Sequence, residues 1–244
     1  MNKRTPVCLV LKSAVLLVTL LCVFPLFATN PQKKEMKELN VKKVSLANVA
    51  VENIPALLDK EKVAFQSINT VNWKTFPYQP EVQFRIAHTD DAILVHYKVK
   101  EASVRAVAAG DNGAVWEDAC VEFFSIPAGE CNCAGILLIG AGAGRENREH
   151  APQEVMDKVQ RWSSLGRQSF EERVGECNWE LALVIPYSAF FKHQITSLDG
   201  KTVRANFYKC GDKLQTPHFL SWNPIALEKP NFHCPEFFGT LNFE

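Results

Sequence analysis

Alternation of apolar and polar side chains is the feature that most constrains the fold of this chain. Val82, Phe84 and Ile86 alternate with polar neighbours, and a second apolar run covers residues 92–99 after a short turn at 89–91. Successive side chains of a β-strand point to opposite faces, so a period of two indicates a strand with a buried face. Two such runs around a short turn predict a β-hairpin.

The same period recurs along the chain. It predicts further strands at residues 119–126, 131–140, 178–185, 202–209, 218–222 and 237–243. Residues 152–161 have Pro152 in a first turn and Val155 four positions before Val159, which predicts a helix. Residues 187–192 predict one more helical turn. The chain is therefore predicted to be all-β, an immunoglobulin-like or jelly-roll β-sandwich with short helical insertions.

The N-terminal residues have the features of a secretory signal peptide. Lys3 and Arg4 precede an apolar run over residues 7–27, which closes on the small residue Ala28. We expect residues 1–28 to be removed, the lysine-rich residues 29–45 to form a polar tether, and residues 46–244 to form one domain. Lipid attachment at Cys22 stays open, although Leu21 before it is larger than a lipoprotein signal favours. The protein is thus predicted to be exported to the periplasm, the cell surface or the medium.

The charge balance of the chain argues against a nucleic-acid partner. Without residues 1–28 the chain has 24 Lys plus Arg and 27 Asp plus Glu, so it lacks the basic excess of nucleic-acid-binding proteins.

The six cysteines that remain are Cys120, Cys131, Cys133, Cys177, Cys210 and Cys234. We interpret them mostly as small buried side chains, with one or two disulfides left open. A zinc site using Cys131 and Cys133 would lack a second ligand pair at suitable spacing.

Two patterns that could indicate catalysis or nucleotide binding are weak. The glycine-rich residues 140–145 lack the strand, loop and helix context of a phosphate-binding loop, which favours an ordinary loop. Glu117, Asp118 and Glu122 could supply the carboxylate pair of a glycoside hydrolase. Asp118 and Glu122 would lie about 13 Å apart on one strand face, farther than either hydrolytic mechanism uses. A more distant carboxylate partner stays open as an alternative.

Aromatic and hydrogen-bonding residues point instead to sugar binding. A sugar ring has apolar C–H faces and a rim of hydroxyl groups, so its site needs flat aromatic surfaces beside carboxylate, amide or basic groups. Trp116 lies between a turn and a strand next to acidic residues, which is unusual for a core tryptophan. The candidate ligand-binding residues of these types are Trp116, Glu122, Asn206, Tyr208 and Phe232.

The segment VWEDACVEFF at residues 115–124 resembles a strand shared by carbohydrate-binding modules of family 9 and their relatives in Bacteroidetes. The segments RANFYKCGD, FLSWNP and PNFHCPEFFGTLNF continue the resemblance in order, over residues 60–244. The resemblance implies a non-catalytic β-sandwich that holds a sugar between two aromatic rings. It gives Trp116 the place of the first ring, Phe232 that of the second, and Glu122 that of a hydroxyl-bonding carboxylate.

The chain differs from better-known members of that family at three of these positions. Phe232 stands where they carry tryptophan, Tyr208 where they carry glutamine, and Glu130 near the place of an arginine. We include Glu130 among the candidate ligand-binding residues. Family members can hold structural calcium, but no Asp-rich loop here has the spacing to indicate it. No other cofactor and no metal ligand is predicted.

The sequence thus predicts non-catalytic binding of an oligo- or polysaccharide, in support of polysaccharide breakdown or uptake, with glycan-degrading enzymes as possible partners. Two alternatives remain. One is a glycoside-processing enzyme that uses Glu117, Asp118 or Glu122; the other is a protein-interaction module of a glycan-processing assembly.

Overall fold

A computed structural model of the protein describes residues 35–46, 49–108, 110–126, 130–132, 139–140 and 149–244, without the side chains of 130–132, 139–140 and 149. The predicted signal peptide, the first part of the predicted tether and the greater part of the glycine-rich stretch 140–145 lie outside these residues. The strands of the described residues are β1 Glu38–Lys43, β2 Gln66–Ser67, β3 Thr70–Val71, β4 Glu81–His88, β5 Ala92–Ala106, β6 Cys120–Ile126, β7 Glu130–Asn132, β8 Ile139–Gly140, β9 Glu149–His150, β10 Gln160–Ser163, β11 Phe170–Pro186, β12 Thr202–Cys210, β13 Phe219–Ser221 and β14 Gly239–Phe243. The helices are α1 Ile54–Lys60 and α2 Gln153–Met156.

The strands form an all-β sandwich, as predicted. What we call the front sheet contains β6 and β7, β12, β13, β14 and β3, and the back sheet contains β10, β11, β5, β4 and β2. The predicted hairpin is present, because β4 pairs antiparallel with β5 across residues 81–100. A separate short pair joins β8 to β9.

Aromatic rings fill the space between the two sheets. Phe84 of β4 stacks on Phe207 of β12 with ring centroids 3.6 Å apart, and Phe207 stacks on Phe123 of β6 at 5.0 Å. Trp222 contacts both Phe84 and Phe207 with its edge. These rings are almost fully buried. The alternation of apolar and polar residues along β4, β6 and β12 therefore reflects which side chains face this core.

Strand β1 joins the two sheets, and it corrects the predicted tether. Residues 38–41 pair in parallel with β14, and residues 42–43 pair in parallel with β4. Val41 is fully buried in the core. The lysine-rich composition did not indicate a strand. The charged residues lie at its more exposed positions, while Leu39 and Val41 provide the apolar contacts. The prediction of a tether is therefore wrong for residues 38–43.

The helical predictions hold only in part. The helix predicted at 152–161 ends at Met156, and Gln160 and Arg161 instead pair with β11 as part of β10. Val155 and Val159 are both buried, so their four-residue spacing reflects packing on the core rather than a continuous helix. The turn predicted at 187–192 is a short 3-10 turn, Tyr187–Ala189. None of the helices in the described ranges is both long and apolar enough to cross a membrane.

Candidate functional site

The outer face of the front sheet brings several predicted residues together. On β6 and β12, Glu122 lies opposite Tyr208, and Cys120 lies opposite Cys210. Directly opposite residues of an antiparallel pair point to the same face, and Phe123 and Phe207, which alternate with them, face the core. Asn206 continues this outer row beside Phe124. We refer to this surface, with the loops that cover it, as the outer face.

Trp116 lies at one end of the outer face, in the 3-10 turn Val115–Glu117. The carboxylate of Asp118 holds this turn: Oδ2 accepts hydrogen bonds from the backbone N–H groups of Val107 and Ala108 at 2.9 and 2.8 Å, and Oδ1 lies 3.0 Å from the Arg105 guanidinium. Trp116 is 40% exposed as a residue, although most large apolar side chains of the described residues are buried. The structure therefore presents an exposed indole on an anchored turn.

Charged residues lie next to Trp116 along the chain and at the end of β12. The Lys213 ammonium lies 2.9 Å from the Glu117 carboxylate, and the Asp212 backbone N–H donates to the Trp116 carbonyl at 3.2 Å. Burial, and then the charge of Glu117, raises the pKa of Asp212 to about 6. Sequence reasoning missed Asp212 and Lys213. The signal that could have found them is their position directly after β12, whose end lies beside Trp116.

Phe232 and Tyr208 form a covered pair of rings. Their ring centroids are 4.2 Å apart with planes 8° from parallel, and the Tyr208 hydroxyl donates to the Phe232 carbonyl at 3.1 Å. Trp73 contacts Phe232 from another side at 6.2 Å. Phe232 is 8% exposed and Tyr208 is fully buried. One face of the Phe232 ring is thus occupied by Tyr208, which leaves Trp116 as the exposed ring among the predicted aromatic residues.

Asn206 also lies within the fold rather than at its surface. Its side-chain amide donates to the carbonyls of Asn223 and Phe237 at 3.3 Å, and its Oδ1 accepts from the backbone N–H groups of Phe207 and Asn223 at 2.9 Å. These bonds fix the loops that cover the outer face. The backbone of Glu130 lies in β7, but its side chain is outside the described residues.

Glu122 lies between two thiols. Its Oε1 is 3.6 Å from Sγ of Cys120 and 3.3 Å from Sγ of Cys210, and all three residues are buried. The Cys120 thiol lowers the pKa of Cys210 through a hydrogen bond, but burial and the charge of Glu122 outweigh it and raise that pKa to about 12. Two sulfur atoms do not suit calcium, which takes oxygen ligands. No other group of three ligand side chains was found in the described part of the chain.

The carboxylates considered for catalysis are all engaged by other groups. Asp118 binds Arg105 and two backbone amides, Glu117 pairs with Lys213, and Glu122 contacts the two thiols. The geometry does not favour a hydrolytic pair among them, because a hydrolase needs two carboxylates on either side of a substrate bond.

A cleft with a volume of about 880 Å³ lies on the back sheet, away from the outer face. The residues that line it include Gln83, Lys98, Trp162, Asn178 and Glu180. Glu180 is bonded to His96 at 2.7 Å, and its other oxygen lies 3.8 Å from Lys98. None of the residues predicted to bind a ligand lines this cleft.

Comparison with known proteins places the chain in a family. The profile of carbohydrate-binding family 9 matches residues 52–243. A crystal structure from Bacteroides uniformis, of a protein to which carbohydrate binding has been ascribed, is 62% identical, has a TM-score of 0.81, and covers 86% of this chain and 100% of its own. A family 9 module from Caldicellulosiruptor kristjanssonii in complex with cellotriose is 12% identical, has a TM-score of 0.51, and covers 85% of this chain and 94% of its own, so it shares the fold. No curated protein sequence matches. The predicted resemblance is confirmed, and the chain belongs to carbohydrate-binding family 9.

Proposed function

We propose that this protein binds an oligo- or polysaccharide without cleaving it, and that a sugar ring stacks on Trp116. The observation that carries the proposal is the exposed indole on a turn anchored by Asp118, beside acidic and basic side chains. Membership of carbohydrate-binding family 9 and the ascribed sugar binding of the Bacteroides uniformis relative support it.

The groups around Trp116 suit the hydroxyl rim of a sugar. Glu117 and Lys213 are both partly exposed and form an ion pair, so each offers hydrogen-bonding atoms to solvent. The Asp212 backbone N–H donates to the Trp116 carbonyl, so this residue is also close to the turn. We propose these three residues as hydroxyl-binding groups. Glu122, which is buried against Cys120 and Cys210, is proposed to support this surface without contacting the sugar.

We propose a structural role beneath this surface for Asn206, Tyr208 and Phe232. Their rings and hydrogen bonds pack the loops over the outer face, so they define its shape without meeting solvent. Direct sugar contact by Phe232 or Tyr208 would require the two rings to separate, because they stack on one another. Glu130 remains a predicted contact on the strand next to β6.

We base a proposal for the biological setting on the N-terminal residues. A basic start, an apolar run and Ala28 support export, and we propose that the protein works in the periplasm or at the cell surface beside enzymes that degrade polysaccharides. Isolation of the protein from cell fractions, with its N-terminal residue determined, tests both the cleavage site and the compartment.

Calorimetric titration of the purified protein with a panel of mono- and oligosaccharides tests the site, with Trp116→Ala in parallel. Trp116 exposes about 40% of its surface, or about 100 Å² of the roughly 250 Å² of a tryptophan side chain. A sugar that covers half to all of it gains about 1.3–2.5 kcal/mol at about 25 cal/mol per Å². We therefore expect Trp116→Ala to weaken binding by about 10- to 70-fold, and Trp116→Phe to weaken it less.

Val174→Ala is the matched control. Val174 is 69% exposed on β11 of the back sheet, so its truncation removes exposed apolar surface away from the outer face. Unchanged affinity is expected for this variant. Equal binding by Trp116→Ala and the wild type would refute the site, and loss in Trp162→Ala would then move it to the back-sheet cleft. Absence of binding across the panel would favour a protein partner instead.

A further inference from the structure

We propose that Cys120, Glu122 and Cys210 form a binding site for a thiophilic divalent metal ion, with Zn²⁺ as the reference ion. The three ligand atoms all lie within 4.8 Å of one another on the outer face. Strand register places them: Cys120 and Glu122 are two positions apart on β6, and Cys210 lies opposite Cys120 on β12. The site is therefore built by two paired strands rather than by a loop.

The two sulfur-to-oxygen distances fit tetrahedral coordination. With Zn–S near 2.3 Å and Zn–O near 2.0 Å, the sulfur-to-oxygen edge of a tetrahedron is about 3.5 Å. The two observed edges, from Glu122 Oε1 to the sulfurs of Cys120 and Cys210, are 3.6 and 3.3 Å. Without a metal these contacts are hydrogen bonds from the thiols. Metal binding replaces the two thiol protons, which pass to solvent, and leaves the carboxylate as the third ligand.

The surroundings of the three side chains favour a cation over a disulfide. Cys120 and Cys210 belong to an apolar cluster with Phe124, Tyr208 and Phe232 that covers the outer face. A carboxylate buried in such surroundings needs hydrogen-bond donors or a cation close by. A disulfide between the two cysteines would engage only the sulfur atoms, whereas a divalent ion would bind both sulfur atoms and the Glu122 carboxylate together.

Titration of the reduced protein with Co²⁺, followed by absorption spectroscopy, tests the site. Co²⁺ takes tetrahedral sites of this kind and shows thiolate-to-cobalt charge transfer when sulfur binds it. We expect one Co²⁺ per chain with this charge-transfer band, and displacement by Zn²⁺. Cys120→Ser and Cys210→Ser should abolish the band, and Glu122→Gln should weaken binding at least tenfold.

Cys177→Ser is the matched control, because Cys177 is a free cysteine on β11 of the back sheet and should leave the spectrum unchanged. X-ray absorption of the zinc-loaded wild type gives a readout that does not depend on variants folding, and should show two sulfur neighbours at about 2.3 Å. Two other results would overturn the proposal. One is cobalt binding without thiolate bands, and the other is a Cys120–Cys210 disulfide in protein isolated from the compartment to which it is exported. Sugar titration of Cys120→Ser, with Cys177→Ser as the control, tests whether loss of the metal site changes the sugar affinity of the Trp116 site.

Discussion

A buried ion pair between the sheets gives the sharpest test of the energetics of this fold. Lys209 on the inner side of β12 has its ammonium 2.9 Å from Oε2 of Glu101 on β5, and both side chains are almost completely buried. The Trp179 indole N–H donates to the other oxygen of Glu101 at 2.6 Å. His218 lies beside the same carboxylate, with its Nε2 3.7 Å from Oε2 of Glu101. Replacement of Lys209 by methionine keeps the shape of the side chain and removes its charge.

The expected cost follows from what Lys209→Met leaves behind. Glu101 remains buried with the Trp179 donor but without its cation, and loss of one partner of a buried pair costs about 3–5 kcal/mol of unfolding free energy. Burial, and then the charge of Lys209, holds the pKa of His218 at about 3. Without Lys209 that pKa should rise toward its ordinary value, so a protonated His218 can face Glu101 in mild acid.

Urea denaturation of the wild type and Lys209→Met at several pH values, with NMR titration of the His218 ring, measures both effects. The destabilisation should be smaller near pH 5 than near pH 8, because His218 then supplies the missing charge. The double variant Glu101→Gln with Lys209→Met should recover most of the lost stability, since Gln keeps an acceptor for Trp179 without a charge. A loss below about 1 kcal/mol at pH 8, with an unchanged pKa of His218, would refute this account.

Three further predictions concern stability. The pKa values of His96 and His218 are lowered to about 4 and about 3, chiefly by burial. Because the unfolded chain takes up these protons first, the free energy of unfolding should fall as the pH falls from about 6.5 toward 4, which urea denaturation across that range measures. Gly239→Ala should destabilise the protein by several kcal/mol in thermal unfolding, because a Cβ there would overlap the backbone carbonyl of Lys37 and the side chain of Asn223. Asp118→Ala should cost about 3 kcal/mol in chemical denaturation, since it leaves two backbone amides and a guanidinium without their acceptor, and it should also weaken sugar binding through the loosened Trp116 turn.

The alternation of apolar and polar residues predicted the architecture, because it depends directly on which side chains are buried. The hairpin of β4 and β5, and the strands β6, β12 and β14, are all present where the pattern of residues indicated them. Strand β1 escaped this reasoning, because six residues with two lysines give too short a pattern to separate a strand from a tether. The helix predicted through residue 161 was too long, because pairing with β11 decides the structure of residues 160–163.

The candidate site was harder to predict than the fold. Alternation places Glu122, Tyr208 and Cys210 on one face, but it does not say what covers that face. The structure shows that the loop containing Phe232 folds over Tyr208, so a ring expected to meet a ligand meets another ring. The Glu101–Lys209 pair was also missed, because its two members lie on different sheets and no local pattern joins them.

The parallel pairing of β1 with β14 has a consequence for how the chain acquires its structure. Glu38 pairs with Thr240, roughly 200 positions further along the chain, so the two sheets cannot be joined until nearly all of the described sequence is available. Contacts between residues so far apart in the sequence slow folding and disfavour folding during synthesis.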